Sequence, residues 1–157
     1  RPATAADAPA LVAMVDALCA SENEPRGHLT VERALADLFG GAPAVRALLA
    51  AERDRLLGYA TFEPAYSTEW APRGLYMQDL WVAAEARRRG VARALVAAVA
   101  AEARRQGRTF VWWCSRAGNE PANAFYEQIA EIHEPVLAHA LAFDAFARLA
   151  AEGEARR

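Results

Sequence analysis

Between Asp79 and Leu95 the chain runs Asp-Leu-Trp-Val-Ala-Ala-Glu-Ala-Arg-Arg-Arg-Gly-Val-Ala-Arg-Ala-Leu. It reads as an apolar strand, a short turn, and a loop of Arg and Gly that opens directly into a long Ala-rich helix. The first amides of a helix have no partner inside it, and the helix dipole favours negative charge beside them. Gly90 lacks a Cβ and lets backbone approach a ligand, and Ala92 is the next smallest choice. Arg87, Arg88, Arg89 and Arg93 add positive charge around the same point. An arginine run is ordinarily a solvated face; one placed at a helix start behind a strand points to a bound phosphate.

The rest of the composition narrows the class. A chain of 157 residues that is 54% hydrophobic suits one compact domain with a full core. Net charge is -2, which suggests neither a nucleic-acid surface nor an acidic tail. No apolar run approaches the roughly 20 residues of a membrane span, and charges interrupt the start too early for a signal peptide. Cys19 and Cys114 fit free buried thiols better than a disulfide framework. His28, His133 and His139 are scattered, so no metal site is expected. Neither G-x-x-x-x-G-K-[ST] nor G-x-G-x-x-G occurs, which excludes the common nucleotide-binding loops.

Periodicity orders the elements. Leu11, Val12, Val15, Leu18 and Cys19 share one face of a helix over 8–20, with Asp7 as its expected cap. Ser21 to His28 reads as a loop. Thr30 caps a second helix with Val31, Leu35, Leu38 and Phe39 on its buried side. Runs over 45–51 and 56–62 around a charged turn predict a β-hairpin. A loop over 64–73 precedes a strand over 75–82 and the Arg/Gly loop. A helix then runs to about Gln106, closed by Gly107. A strand over 109–115 and a helix over 120–130 follow. Weak alternation over 132–143 suggests one or two further strands, and 144–152 a closing helix. The order predicts one α/β domain over 1–157: a mixed, mostly antiparallel central sheet with helices on both faces.

Two blocks carry a resemblance. Arg87-Arg88-Arg89-Gly90-Val91-Ala92 fits a Q/R-x-x-G-x-G/A signature, and Asn119-Glu120-Pro121-Ala122-Asn123-Ala124-Phe125-Tyr126 fits N-x-x-A-x-x-[FL]-Y. Both resemble the GNAT superfamily of N-acetyltransferases. Within it, Arg1-Pro2-Ala3-Thr4-Ala5-Ala6-Asp7, Leu75-Tyr76-Met77-Gln78-Asp79-Leu80-Trp81-Val82 and Asn119-Glu120-Pro121 are most similar to the diamine (spermidine/spermine or thialysine) acetyltransferases. The resemblance implies a cytoplasmic homodimer that moves acetyl from acetyl-CoA to a primary amine, with no nucleic-acid or membrane partner. It implies that the backbone of Leu80, Trp81 and Val82 pairs with the pantetheine arm and that amides from Arg87 through Arg93, those of Arg88, Arg89, Gly90, Val91 and Ala92 included, hold the pyrophosphate. Asn119 would help hold the same arm, and Tyr126 would protonate the departing thiolate. Two positions depart from the pattern. Members with polyamine activity carry a Glu, the proposed general base, where Gln78 stands, and Ile129-Ala130-Glu131 replaces the usual Gly after the Tyr helix.

The chemistry has its own demands. An alkylamine has a pKa of about 10.4, so roughly one molecule in a thousand is neutral at pH 7. A proton acceptor is therefore the central requirement, and the amide of Gln78 cannot serve. A strand N–H of Leu80 or Trp81 is the candidate donor to the thioester oxygen. Glu22, Glu24, Glu63, Glu69 and Asp79 are candidates to line a cationic acceptor site, Glu24 and Asp79 foremost. Trp70 could stack on an ammonium, and Gln78 could hydrogen-bond substrate. Each also has a plain structural reading: a solubilising loop carboxylate, an interface aromatic, a satisfied amide. Cys114, in an expected core strand, argues against an acyl-enzyme. Other acceptors (an amino acid, an aminoglycoside-like compound, a protein N-terminus) and a CoA-binding module with little turnover stay open.

Overall fold

The computed structural model describes residues 1–69 and 73–156, so the expectation for Trp70 lies outside the described residues. The chain forms two compact units, Arg1–Cys114 and Ser115–Arg157.

In the first unit a 3-10 turn (Ala5–Asp7) leads into α1 (Ala8–Ser21), followed by α2 (Val31–Asp37), β1 (Arg46–Glu52), β2 (Arg55–Ala65), β3 (Gly74–Val82), α3 (Val91–Arg105) and β4 (Phe110–Trp112). The sheet order is β1-β2-β3-β4. β1 and β3 pair with β2 antiparallel, and β4 adds to β3 in parallel. Residues 1–3 also lie along the outer edge of β1, with a bridge between Pro2 and Leu48 and the Ala3 amide donating to the Ala47 carbonyl at 2.9 Å.

Alternation along the strands divides the core in two. Leu48, Ala60, Phe62, Leu75 and Met77 meet Leu95, Val99 and Ala103 of α3, which recur every four residues and so lie along one helix face. On the opposite sheet face Ala47, Leu49 and Tyr59 meet Leu11 and Met14 of α1, with Val15, Leu18, Leu38 and Phe39 at the margin. The central sheet with a helix layer on each face is the α/β architecture expected from the sequence.

Both long helices end in the same way. Gly107 (φ 69°) follows α3, with the Arg108 amide donating to the Ala103 carbonyl. Asn23 (φ 57°) takes that place after α1, with the Glu24 amide donating to the Cys19 carbonyl at 2.8 Å. This cap, read from sequence only as a loop, fixes Glu22 and Glu24 at the end of α1.

Several expectations are corrected. Asp7 does not cap α1. It accepts from the Thr4 amide and hydroxyl and from Arg1, closing the 3-10 turn ahead of the helix. Thr30 does cap α2, accepting from the Arg33 amide, but only Ala34 of that helix is buried and Leu35 is exposed. β2 takes in Pro64 and Ala65, and β4 spans three residues rather than seven.

The second unit contains α4 (Glu120–Tyr126) and α5 (Phe143–Glu154). Residues 132–142 form no strand among the described residues, contrary to the weak alternation there. Pro135 lacks a donor, and Ala138, Ala140 and Ala142 have little β-propensity, so the stretch has little to hold it in a ladder. α4 is shorter than expected, ending at Tyr126 rather than Ala130.

Leu75 is 1% exposed where β3 meets α3. Its truncation should combine lost burial with a cavity that a close-packed layer cannot fill. Leu75→Ala should lower unfolding stability by about 2–5 kcal/mol in urea titration.

Candidate active site

An irregularity in β3 shapes the surroundings of the sequence-predicted site residues. Opposite β2, Thr61 pairs with Asp79 and Phe62 with Met77, so Gln78 is the extra residue of a β-bulge. The bulge changes the phase of the strand. Leu75 and Met77 face α3 before it, and Leu80 and Val82 face α3 after it. Asp79, beside Thr61, and Trp81, beside Tyr59, are thereby turned to the α1 face. Bulges bend and twist the strand that carries them. The parallel ladder to β4 accordingly covers only Gly74–Tyr76 against Phe110–Trp112. From Met77 to Val82 that edge of β3 has no ladder partner among the described residues. Its amides and carbonyls are disposed to accept an extended chain bearing amides of its own, as an added strand would.

The loop that follows offers an anion site at the end of this edge. A 3-10 turn (Ala84–Ala86) is followed by Arg88 at φ 59° and Gly90 at φ 81°, the N-cap of α3. Gly90 takes the left-handed backbone that favours glycine, and a Cβ there would meet no other part of the chain. With no capping side chain at Gly90, the first amides of α3 remain available to a ligand. The arginines divide their labour. Arg89 pairs with Glu52 at 2.9 Å, and Arg87 Nε reaches back to the Val82 carbonyl at 3.2 Å. Arg55 pairs with Glu85, so the β1–β2 turn is fastened to the loop at two points. Arg88 and Arg93 have no ion pair among the described residues. An open edge leading to unsatisfied helix amides and two guanidinium groups without an ion pair is suited to an extended, amide-bearing chain that ends in an anion.

Beside the bulge lies a group of polar side chains. Asp79 is half-buried; its Oδ2 accepts from Thr61 Oγ1 at 2.9 Å, and its amide donates to the same hydroxyl at 3.1 Å. Thr61 is buried, and so is Tyr59, two residues earlier on the same face of β2, at 0% exposure. The Tyr59 ring packs against Trp81 with centroids 6.4 Å apart. Its hydroxyl stands close enough to Asp79 to act on its charge, yet outside hydrogen-bonding geometry with any partner among the described residues. Burial pushes the Asp79 carboxyl above its ordinary value and Glu22, at the end of α1, adds to the rise, while the two hydroxyls oppose it. Burial likewise pushes the Tyr59 phenol up.

Other candidates are placed less centrally. Gln78 is exposed at the bulge, and Glu24 is exposed beyond the α1 cap. Cys114 is exposed and Cys19 half-buried, so neither is the buried thiol expected. In the second unit the Asn119 side chain caps α4, accepting from the Ala122 amide at 3.3 Å. Asn123, which sequence reading passed over, joins Ser115 to the Arg116 and Ala117 carbonyls. Tyr126 ends α4 with its ring 5.3 Å from that of Phe125. Thr61 and Tyr59 were also missed. The signal was present: they are the two hydroxyls, spaced by two, in the otherwise apolar run Leu56-Leu57-Gly58-Tyr59-Ala60-Thr61-Phe62.

A raised carboxyl weakens the fold once it ionises. Asp79 gains and loses its proton at a higher pH in the folded chain than in the unfolded one. Its protonated form therefore favours the fold below the unfolded value of about 3.9, and that advantage is lost as pH rises through the folded value. Asp79→Asn, which mimics the neutral form, should raise Tm at pH 7 relative to wild type. Near about pH 3 the two should converge, by scanning calorimetry.

Comparison with known proteins identifies the family. The model of the acetyltransferase (GNAT) family matches residues 11–130. No curated protein matches the sequence. Among solved structures, an integron cassette protein from the mobile metagenome of V. cholerae is similar at 21% identity, TM-score 0.76, over 96% of this chain and 95% of that one. An aminoglycoside acetyltransferase from an uncultured soil metagenomic sample, in complex with sisomicin, is similar at 15% identity, TM-score 0.78, over 92% and 95%. A ribosomal-protein-alanine N-acetyltransferase from Brucella melitensis biovar Abortus 2308 is similar at 21% identity, TM-score 0.72, over 91% and 96%. At these identities the structures speak for the fold, while the family match spans most of the chain: this protein belongs to the acetyltransferase (GNAT) family and is an N-acetyltransferase of a family whose acetyl donor is acetyl-CoA.

Proposed function

We propose that this acetyltransferase acts on a primary amine of a small, multiply charged cation, a di- or polyamine-like acceptor, by direct attack within a ternary complex. The observation that carries the reading is the half-buried Asp79 carboxylate, fixed by Thr61 at the head of the open β3 edge, with Glu22 from the end of α1 near enough to act on its charge. Negative charge there attracts a cationic acceptor and gives an uncharged one no such hold. The likeness of 75–82 to the central strand of the diamine acetyltransferases points the same way.

Acetyl-CoA brings an activated thioester. The residues divide the remaining work. The backbone of Leu80, Trp81 and Val82 aligns the arm, and the amides from Arg87 through Arg93 hold the pyrophosphate, with Arg93 adding charge. An N–H of Leu80 or Trp81 stabilises charge on the carbonyl oxygen. Asn119 contributes to holding the arm, and the Tyr126 phenol donates a proton to the leaving thiolate. The family model matches residues 11–130 and so runs into both units, which supports reading the chain as one catalytic domain. The homodimer of the resembled enzymes belongs to the same reading, supported by Leu137 at 85% and Phe143 at 93% exposure.

A second reading rests on Gln78. Members active on polyamines carry Glu there, and its replacement by an amide at the exposed bulge favours an acceptor rich in hydroxyls as well as amines, such as an aminoglycoside. Thiol release from acetyl-CoA with spermidine, putrescine, thialysine, lysine, kanamycin and a short peptide separates the two. Turnover with a di- or polyamine, about 10²-fold slower in Tyr126→Phe, is the expected result. Turnover with kanamycin or the peptide alone would replace the diamine reading.

A further inference from the structure

The substitution at Gln78 leaves the reaction without an evident proton acceptor, and the geometry points to Asp79: the half-buried carboxylate takes the proton of the acceptor ammonium, held in place by the Thr61 hydroxyl in a cradle that the nearby Tyr59 hydroxyl completes when the carboxylate shifts. The inference rests on acetyl transfer to an amine, whichever amine that is.

Three observations carry it. Asp79 immediately precedes the Leu80–Val82 edge and is turned by the bulge to the face of Trp81 and Tyr59, so its carboxylate lies at the start of the stretch along which the donor is aligned. Thr61 grips Oδ2 and the Asp79 amide together, which fixes the strand and carboxylate as one piece and leaves Oδ1 for a proton. The Tyr59 hydroxyl, wholly buried and without a hydrogen-bond partner among the described residues, is an uncommon expense in a protein core. Its closeness to Asp79 gives it a use. As the carboxylate shifts during proton transfer, a small approach supplies a second donor.

The surroundings suit a proton acceptor. The groups facing Asp79 are Thr61 and Tyr59 on β2 and Glu22 from the end of α1; Asp79 acts in turn on Cys19 of α1 and on Tyr76 of its own strand. Burial and Glu22 raise its proton affinity while the hydroxyls limit the rise, leaving an acid more basic than a surface aspartate. The balance is simple. The ammonium N–H proton passes to Oδ1, directly or across one water. The neutral nitrogen forms its bond to the acetyl carbon as the C–S bond breaks, and sulfur leaves with the electron pair. The nitrogen then gives up its second proton, which neutralises the thiolate by way of water, and Asp79 returns the first proton to solvent. Thr61 and Tyr59 touch neither reactant and are positioning residues.

The test is kcat/KM against pH, from about pH 6 to about pH 10, with whichever of spermidine and kanamycin the wild type acetylates. Wild type should show a plateau at neutral pH. Asp79→Asn should lose about 10²–10³-fold at pH 7. It should then rise about tenfold per pH unit, tracking the neutral amine, and approach wild type near pH 10. Thr61→Val and Tyr59→Phe should move the acidic limb to higher pH with the plateau largely kept, and Thr61→Ser should restore it. A plateau retained in Asp79→Asn, a loss equal at every pH, or removal of the plateau by Glu63→Gln instead would overturn the assignment. Should neither amine be acetylated, the polycation reading fails by itself, and carbon-13 NMR titration of the Asp79 carboxyl decides the cradle. Upward movement of its midpoint in both Tyr59→Phe and Thr61→Val is expected; a midpoint unmoved in both would refute it.

Discussion

One extra residue in β3 governs the geometry on which the rest of the site depends. The bulge at Gln78 forces β3 out of step with β2, and the ladder to β4 ends with Tyr76. Without it, β3 would keep a single alternation. Asp79 would then face α3 inside an apolar layer, where an unpaired carboxylate is untenable. The bulge turns Asp79 to the side where Thr61 can satisfy it, and the separation from β4 exposes the edge that follows. A carboxylate, an open strand edge and a row of helix amides come into line as consequences of one local break in pairing.

The framework around this break is stiff for physical reasons. α3 presses Leu95, Val99 and Ala103 against one face of the sheet, and α1 presses Leu11 and Met14 against the other. Arg55–Glu85 and Arg89–Glu52 tie the β1–β2 turn to the loop before α3. Exposed ion pairs contribute little to global stability. Their effect here is local: they hold the loop and leave Arg88 and Arg93 without an ion pair among the described residues. The loop's arginines divide between anchored and unpaired rather than forming a uniform positive patch.

How much of this was legible in the sequence follows from the range of each interaction. The succession of strand, loop and helix around Gly90 was readable because its determinants are local: a β-rich run, a residue suited to positive φ, then alanines. The hairpin over β1 and β2 and the Thr30 cap were readable for the same reason. The Thr61–Asp79 pair was not, because its partners are far apart in the chain and their meeting depends on a register shift that no residue type announces. Asp7 deceived because a carboxylate before a helix suits either the helix or the turn ahead of it, and Thr4 and Arg1 decided for the turn. Alternation over 132–143 deceived because alternation without a pairing partner does not make a strand.

The central claim is that the free β3 edge and the α3 amides together hold the acetyl donor. The most direct measurement is a nitrogen-15 correlation spectrum of the amide-labelled protein during titration with CoA. The account predicts that the largest shifts fall on Leu80–Val82 and on Arg88–Arg93, with Asp79 and Thr61 responding more weakly. Shifts concentrated on α1 or on the β1–β2 turn, with the amides of Gly90, Val91 and Ala92 unmoved, would contradict it.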